Sequence, residues 1–195
     1  MPKVGMEPIR RKALIEATMR AIHAQGYCGV TIGAIAREAK VSNGLAHHYF
    51  GSKEQLLAAT MRALYQRLGA DIQARLAAAR TPRDRLSAII RGNLSAGQFE
   101  PAVVSAWLAF YMQAQTAPAT RHLLRVYYRR LQSNLVHALR MLVPLPLAKA
   151  VAEDIGALID GLYLRQALGA LQPEPEAAIA RVEDYLSLRL REYGE

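Results

Sequence analysis

The chain has 195 residues, room for one large domain or a small domain fused to a larger one, and its 25 Lys and Arg against 16 Asp and Glu leave a net charge of +9. The excess is uneven: residues 1–53 hold eight basic and three acidic side chains, so about a quarter of the chain carries more than half of the charge, as expected for an anionic partner such as nucleic acid or a membrane surface. A single cysteine, Cys28, excludes an intrachain disulfide and suits a reducing compartment, and the opening MPKVGMEPIRRKAL lacks the apolar core of a signal peptide.

In chain order, Leu14, Ala17, Ala21 and Ile22 mark one face of a first helix that should end near Gly26. Thr31 can cap a second helix with Ile32, Ile35, Ala36 and Ala39 inward, and Ser42 a third, very short one; neither has the Glu or Gln that would complete a capping box. Ser52 precedes a long amphipathic helix running to about Ala79, and Thr81-Pro82 opens the next. Gly92, Gly97 and Pro101 bracket a break, Pro118 separates two further helices, and Pro144 with Pro146, then Pro173 with Pro175, mark the last turns. The pattern predicts an all-α protein of about nine helices, without strands or repeats.

The charge-free run Pro101 to Thr120 is interrupted by Gln113, Gln115 and Pro118. It falls short of the roughly twenty apolar residues of a membrane span, so a cytoplasmic protein with no membrane contact is expected. From Ile155 to Leu171 only Asp160 and Arg165 are charged, and apolar residues fall on every side. A helix apolar all round must be buried all round. A homodimer seam through the last two helices, using Ile155, Ile159, Leu162, Val182 and Leu186, meets that need; the alternative is a helix central to its own monomer.

Two short helices joined by AKVS inside the basic segment have the layout of a helix-turn-helix, whose second helix enters the major groove. Asn43 and Gly44 at its start permit close approach, His47 and His48 offer donors and acceptors, Tyr49 offers a hydroxyl, and Lys53 adds charge. Adjacent helical residues point about 100° apart, which disfavours a shared metal ion. One histidine packed and one solvated is the plainer reading of the pair, and direct DNA contact, with His47 the more exposed candidate, is the one preferred.

The stretch TIGAIAREAKVSNGLAHHYFGSKEQLL resembles the DNA-binding segment of TetR-type transcriptional regulators. That resemblance implies a helix-turn-helix domain over residues 1–52 and a ligand-binding and dimerisation domain over 53–195. It also implies DNA contacts at Thr31, Arg37, Lys40, Ser42, Asn43, Gly44, His47, His48, Tyr49 and Lys53. The family usually has Gly where this chain has Lys40, at a left-handed helix end, where a side chain costs about 1–2 kcal/mol.

Aromatic residues concentrate in the larger domain: Phe99, Trp107, Phe110, Tyr111, Tyr127, Tyr128 and Tyr163. They suit either an ordinary core or a cage for an organic cation. Asp160 can supply a counter-charge, pair with Arg165, or make a contact across a dimer. The segments MPKVGMEPIRRKALIEAT, AWLAF, RRLQSNLV and LIDGLYLR are similar to the choline-sensing, BetI-type branch of the family. This second resemblance implies repression of glycine betaine synthesis genes, binding as a dimer to a palindromic operator, and release by choline at Trp107, Phe110, Tyr111, Asp160 and Tyr163. No cofactor or metal is implied; choline is the effector. A regulator of a different ligand, such as a lipophilic drug or metabolite, shares the same DNA domain. No nucleophile beside a base, carboxylate pair or metal set supports an enzyme.

Overall fold

The structure, a computed structural model, describes residues 5–169 and 174–193; Lys3, Leu171 and Pro173 lie outside them. Among the described residues it is built of helices α1 (Met6–Gly29), α2 (Ile32–Glu38), α3 (Asn43–Phe50), α4 (Lys53–Ala78), α5 (Pro82–Asn93), α6 (Pro101–Thr116), α7 (Pro118–Leu139), α8 (Leu145–Ala167) and α9 (Pro175–Arg191). A 3-10 turn, Ala96–Phe99, sits between α5 and α6, and no strand interrupts the series.

The expected punctuation is present in atomic detail. Gly26 leaves helical geometry at φ 69° and ψ 158°, breaking the end of α1. The Thr31 and Ser42 hydroxyls accept from the backbone N–H of Ala34 at 3.2 Å and Leu45 at 3.3 Å, capping α2 and α3. Ser52 caps α4 through Gln55 N–H. Thr81 and Asp84 form a complete capping box on α5, and Pro101, Pro118 and Pro175 each stand first in their helix.

The helices pack into two compact units. The first holds α1–α3, the start of α4, α6 and the beginning of α7. The second holds the rest of α4, α5, the 3-10 turn, most of α7, α8 and α9. This division runs differently from a cut at residue 52, because α6 packs along α1, where His23 Nδ1 lies 3.0 Å from Ser105 Oγ. In the second unit Gly92 lets α5 approach α4: a Cβ there would overlap Ile72 Cγ1 and stand 3.4 Å from Ile72 Cα. Arg83 of α5 pairs with Glu183 of α9 at 2.8 Å and donates to Ser187 Oγ at 2.9 Å.

The dimer residues read from the sequence need correction. Ile155, Ile159, Val182 and Leu186 are 0–3 % exposed in the single chain. They are already covered within the single chain, in which α8 packs on α9, and cannot also face a second copy. Only Leu162 is half-buried. The helix has a buried side and an open side. The open side carries Ala157, Gly161, Leu164 and Leu168, the two leucines 43 % and 68 % exposed, and Leu188 of α9 is 52 % exposed.

Candidate functional site

The basic head is built around Leu14, Ala17, Ile35, Ala46 and Leu56, each fully buried. Burial of a side chain of leucine size contributes about 1.5–3 kcal/mol, so this small core fixes how α2 and α3 sit on α1. Outside it, Arg20 of α1 pairs with Glu38 of α2 at 2.7 Å, an exposed pair worth little by itself. Arg11 places its guanidinium 5.3 Å from the Tyr49 ring centre and 5.0 Å from that of Phe50, a stacked cation that holds the end of α3 against α1.

The α2–α3 junction explains the role of Lys40. Lys40 N–H donates to Arg37 O at 3.1 Å and Val41 N–H to Ala36 O at 2.9 Å. These are the two bonds of a Schellman ending, and Val41 packs back on the head core beside Ile35 and Ala36. That geometry requires a left-handed residue, and Lys40 takes φ 55°, alone among the described non-glycine residues in having positive φ. The strain expected from the sequence is therefore present.

Thr31, Arg37, Lys40, Ser42, Asn43, Gly44, His47 and His48 are all exposed, and Tyr49 and Lys53 are half-buried. The first turns of α2 and α3 adjoin: a Cβ on Gly33 would stand 3.7 Å from Asn43 Oδ1 and 3.9 Å from Thr31 Oγ1. Gly44 has an open side, since a Cβ there meets nothing within 4 Å and its φ is not positive. Nothing inside the chain demands glycine at that position.

Exposure does not separate the two histidines. What distinguishes His47 is its ring, whose Nδ1–H donates to Gly51 O at 3.0 Å while Gly51 N–H donates to His47 O at 2.7 Å. This closes the end of α3 and leaves Nε2 as the ring atom not engaged by that closure. The His48 ring lies 5.7 Å from that of Tyr49. Lys53 reaches back to donate to Tyr27 O at 3.0 Å, with its ammonium 4.4 Å from the Tyr27 ring centre. Burial, then Glu54, pushes the Tyr27 hydroxyl up to about 12, so the ring beneath the ammonium stays neutral.

The five residues read as an effector site fall in both units. Trp107, Phe110 and Tyr111 share α6 in the first, with Trp107 and Phe110 buried. A fourth ring, missed from the sequence, completes their cluster: Tyr65 of α4 meets Trp107 edge-on at 5.2 Å and Phe110 at 5.9 Å. Its spacing from Met61, Leu68 and Ile72 on α4 marks the buried side, but nothing local tells an aromatic of a cluster from one of plain core. In the second unit, Tyr163 lies 7 % exposed beside Phe99, ring centres 5.7 Å apart.

Asp160 lines a groove of about 960 Å³ between α7 and α8, with Tyr128, Gln132, Lys149, Glu153 and Gly156. Burial holds its carboxyl above the usual range, and a hydrogen bond from Tyr128 partly offsets that. Its observed partner is thus a phenol, an arrangement that leaves its negative charge available to a cation.

Comparison with known proteins is consistent along the whole chain. Residues 14–60 match the family model of bacterial regulatory proteins of the tetR family, and residues 82–191 match that of the BetI-type transcriptional repressor C-terminal region. The chain is 53 % identical over 190 residues to the HTH-type transcriptional regulator BetI of Brucella anthropi, covering 97 % of this chain and 98 % of that protein. It is 53 % identical over 195 residues to the regulator of the same name from Rhizobium meliloti, covering 100 % and 96 %. Among solved structures, a transcriptional regulator from Pseudomonas aeruginosa PAO1 superposes with a TM-score of 0.83 at 28 % identity, covering 96 % and 93 % of the two chains. A regulator from Saccharomonospora viridis in complex with choline superposes at 0.80 with 23 % identity, covering 93 % and 97 %.

Proposed function

The chain belongs to the TetR family of transcriptional regulators, with a BetI-type C-terminal region, and on that footing we propose that it represses glycine betaine synthesis genes from a palindromic operator and is released by choline. As a family member it is a transcriptional regulator and not an enzyme. Among the described residues no helix is long and apolar enough to cross a membrane.

The observation that carries the DNA half of this reading is the α2–α3 surface. Eight of its ten named residues are exposed at and around two adjoining helix starts, while the inward faces of the same helices are packed shut. Arg37 and Lys40 attract phosphate, Asn43 and His47 Nε2 offer hydrogen-bonding atoms to base edges, and Gly44 lets the backbone approach closely. A twofold dimer would set two such surfaces in successive major grooves, about 34–36 Å apart. The open side of α8, with Leu164 and Leu168, and Leu188 of α9 is the face left for that second copy.

The effector half rests on Asp160, a part-buried carboxylate held by a phenol, in a protein whose named relatives are BetI regulators. The fold accommodates choline in the S. viridis regulator, a likeness of fold alone. A ligand that prefers the DNA-free arrangement must weaken operator binding by the reciprocal factor.

The test is a gel shift on the DNA upstream of the neighbouring genes, titrated with choline and with a panel of neutral lipophilic compounds. Release by choline alone is the expected result. Release by a lipophilic compound and not by choline overturns the effector assignment and leaves the DNA assignment standing; no shift at low salt overturns both.

A further inference from the structure

Two buried polar atoms of α8 have no protein partner among the described residues: the Tyr163 hydroxyl and Gln166 Oε1. Both residues are 7 % exposed. They stand three positions apart on the helix side that also buries Ile155 and Ile159, beside the Phe99 ring. The Tyr27 hydroxyl is likewise buried without a hydrogen-bond partner among the described residues, whereas other buried polar side chains are closed. Asn93 donates to Ile89 O at 2.8 Å and accepts from the Tyr127 hydroxyl at 3.1 Å. The Thr18 and Thr60 hydroxyls return to carbonyls of their own helices at 2.7 and 2.9 Å. Interior polar groups as a rule find a partner, in the protein, in water or in a ligand, because leaving one unmade is costly.

We propose that Tyr163 and Gln166 form the polar end of the effector site and select a ligand that ends in a neutral hydroxyl over one that ends in a carboxylate. The inference deepens the choline reading and rests on it. A phenol O–H donates and an amide oxygen accepts; a ligand hydroxyl does both, and satisfies the two atoms at once. Burial holds the Tyr163 proton on, pushing its ionisation far above the ordinary range, so the phenol remains a donor. Neither group carries charge. A carboxylate brought here would lose its water without gaining a counter-ion, which is strongly unfavourable. Asp160, three residues earlier on the same helix, faces the cationic end. The pair therefore separates an alcohol from the acid formed by its oxidation, and lets the regulator respond to the substrate of such an oxidation and not to its product.

The experiment is calorimetry on the full-length protein with three probes: choline, propyltrimethylammonium (a methyl in place of the hydroxyl) and glycine betaine. The wild type is expected to favour choline about tenfold over propyltrimethylammonium, with glycine betaine weakest. In Tyr163→Phe with Gln166→Met that preference should shrink to within about twofold, with propyltrimethylammonium bound as well as before. Thermal melting should place the variant at or above the wild type, since two unpaired polar atoms have been removed. A variant that melts normally and keeps the tenfold preference overturns the inference, and the pair is then closed by water. A wild type that binds none of the probes overturns the choline reading itself.

Discussion

Helices α3 and α8 solve opposite problems. The eight residues of α3 bury only Ala46 and Phe50 and leave most of their polar side chains outside. A short helix of this kind is marginal alone and is held by its ends: the Ser42 cap, the His47–Gly51 closure and Arg11 stacked beneath. The 23 residues of α8 invert this, with no side-chain cap hydrogen bond at the start and stability drawn from one packed face. Polar groups in α3 point outward toward a partner that supplies charge. In α8, Lys149, Glu153, Asp154 and Arg165 are exposed, but Asp160 is half-buried and Tyr163 and Gln166 are buried, where a missing partner matters more. On the proposed reading, one helix meets a solvated polyanion, and the other meets a small ligand and a second copy.

The largest expected effect breaks the open side of α8. Leu164→Asp with Leu168→Asp alters two leucines exposed in the single chain, so the monomer should still fold. Sedimentation should show a halved mass, and operator affinity should fall about a hundredfold or more as the two heads lose their coupling. A dimer that survives the double substitution places the seam elsewhere.

The next effect concerns Asp160. Asp160→Asn should weaken choline binding about thirtyfold, the loss expected when one partner of a desolvated charged contact is neutralised, while leaving operator binding intact. Burial raises this carboxyl, so the free protein keeps the proton to a higher pH than an exposed Asp. Choline needs the ionised form. Its affinity should therefore fall as pH drops through the raised value, and binding in that window should release a proton, measurable by calorimetry in buffers of different ionisation enthalpy. The stability slope runs the opposite way. Between the ordinary and raised values the folded state binds more protons than the unfolded one, so stability declines as pH rises across that window. Asp160→Asn should remove both slopes.

This contrast also explains what was legible. Caps, prolines and the break at Gly26 act within a few residues, so α1–α3 could be read directly; the left-handed turn at Lys40 was legible only through the family resemblance, which has glycine there. The two sides of α8 could not be separated, because Leu164 and Leu168 look no different from Ile155 and Ile159 until α9 covers one set and not the other. Gln166 reads as a solvent residue by composition, yet it follows Ile155 by eleven positions and Ile159 by seven, which places it on the buried stripe. Tyr65 joined its cluster only through a tertiary contact between α4 and α6.

Gly44 tests the other helix. In Gly44→Ala the new methyl meets open space, and alanine in a helix is favoured over glycine by about 0.5–1 kcal/mol. The domain should melt higher, while operator affinity drops about tenfold if DNA backbone occupies that space. Gains in both stability and binding would remove Gly44 from the interface.

Lys40→Gly gives the smallest effect and the most discriminating one. Relief of the left-handed strain is worth about 1–2 kcal/mol, offset in part by the extra freedom glycine gives the unfolded chain, so a net gain near 1 kcal/mol is expected in chemical denaturation. The Schellman bonds at Arg37 O and Ala36 O use backbone N–H groups alone and survive the change. If the lysine persists because its charge meets a phosphate, the slope of log affinity against log salt should shrink by about one unit. A more stable protein with an unaltered slope would mean that Lys40 is only a tolerated residue at a turn that glycine fits better. The strain at φ 55° would then be unconnected with DNA, and the charge of the head would act through Arg37 and the start of α4.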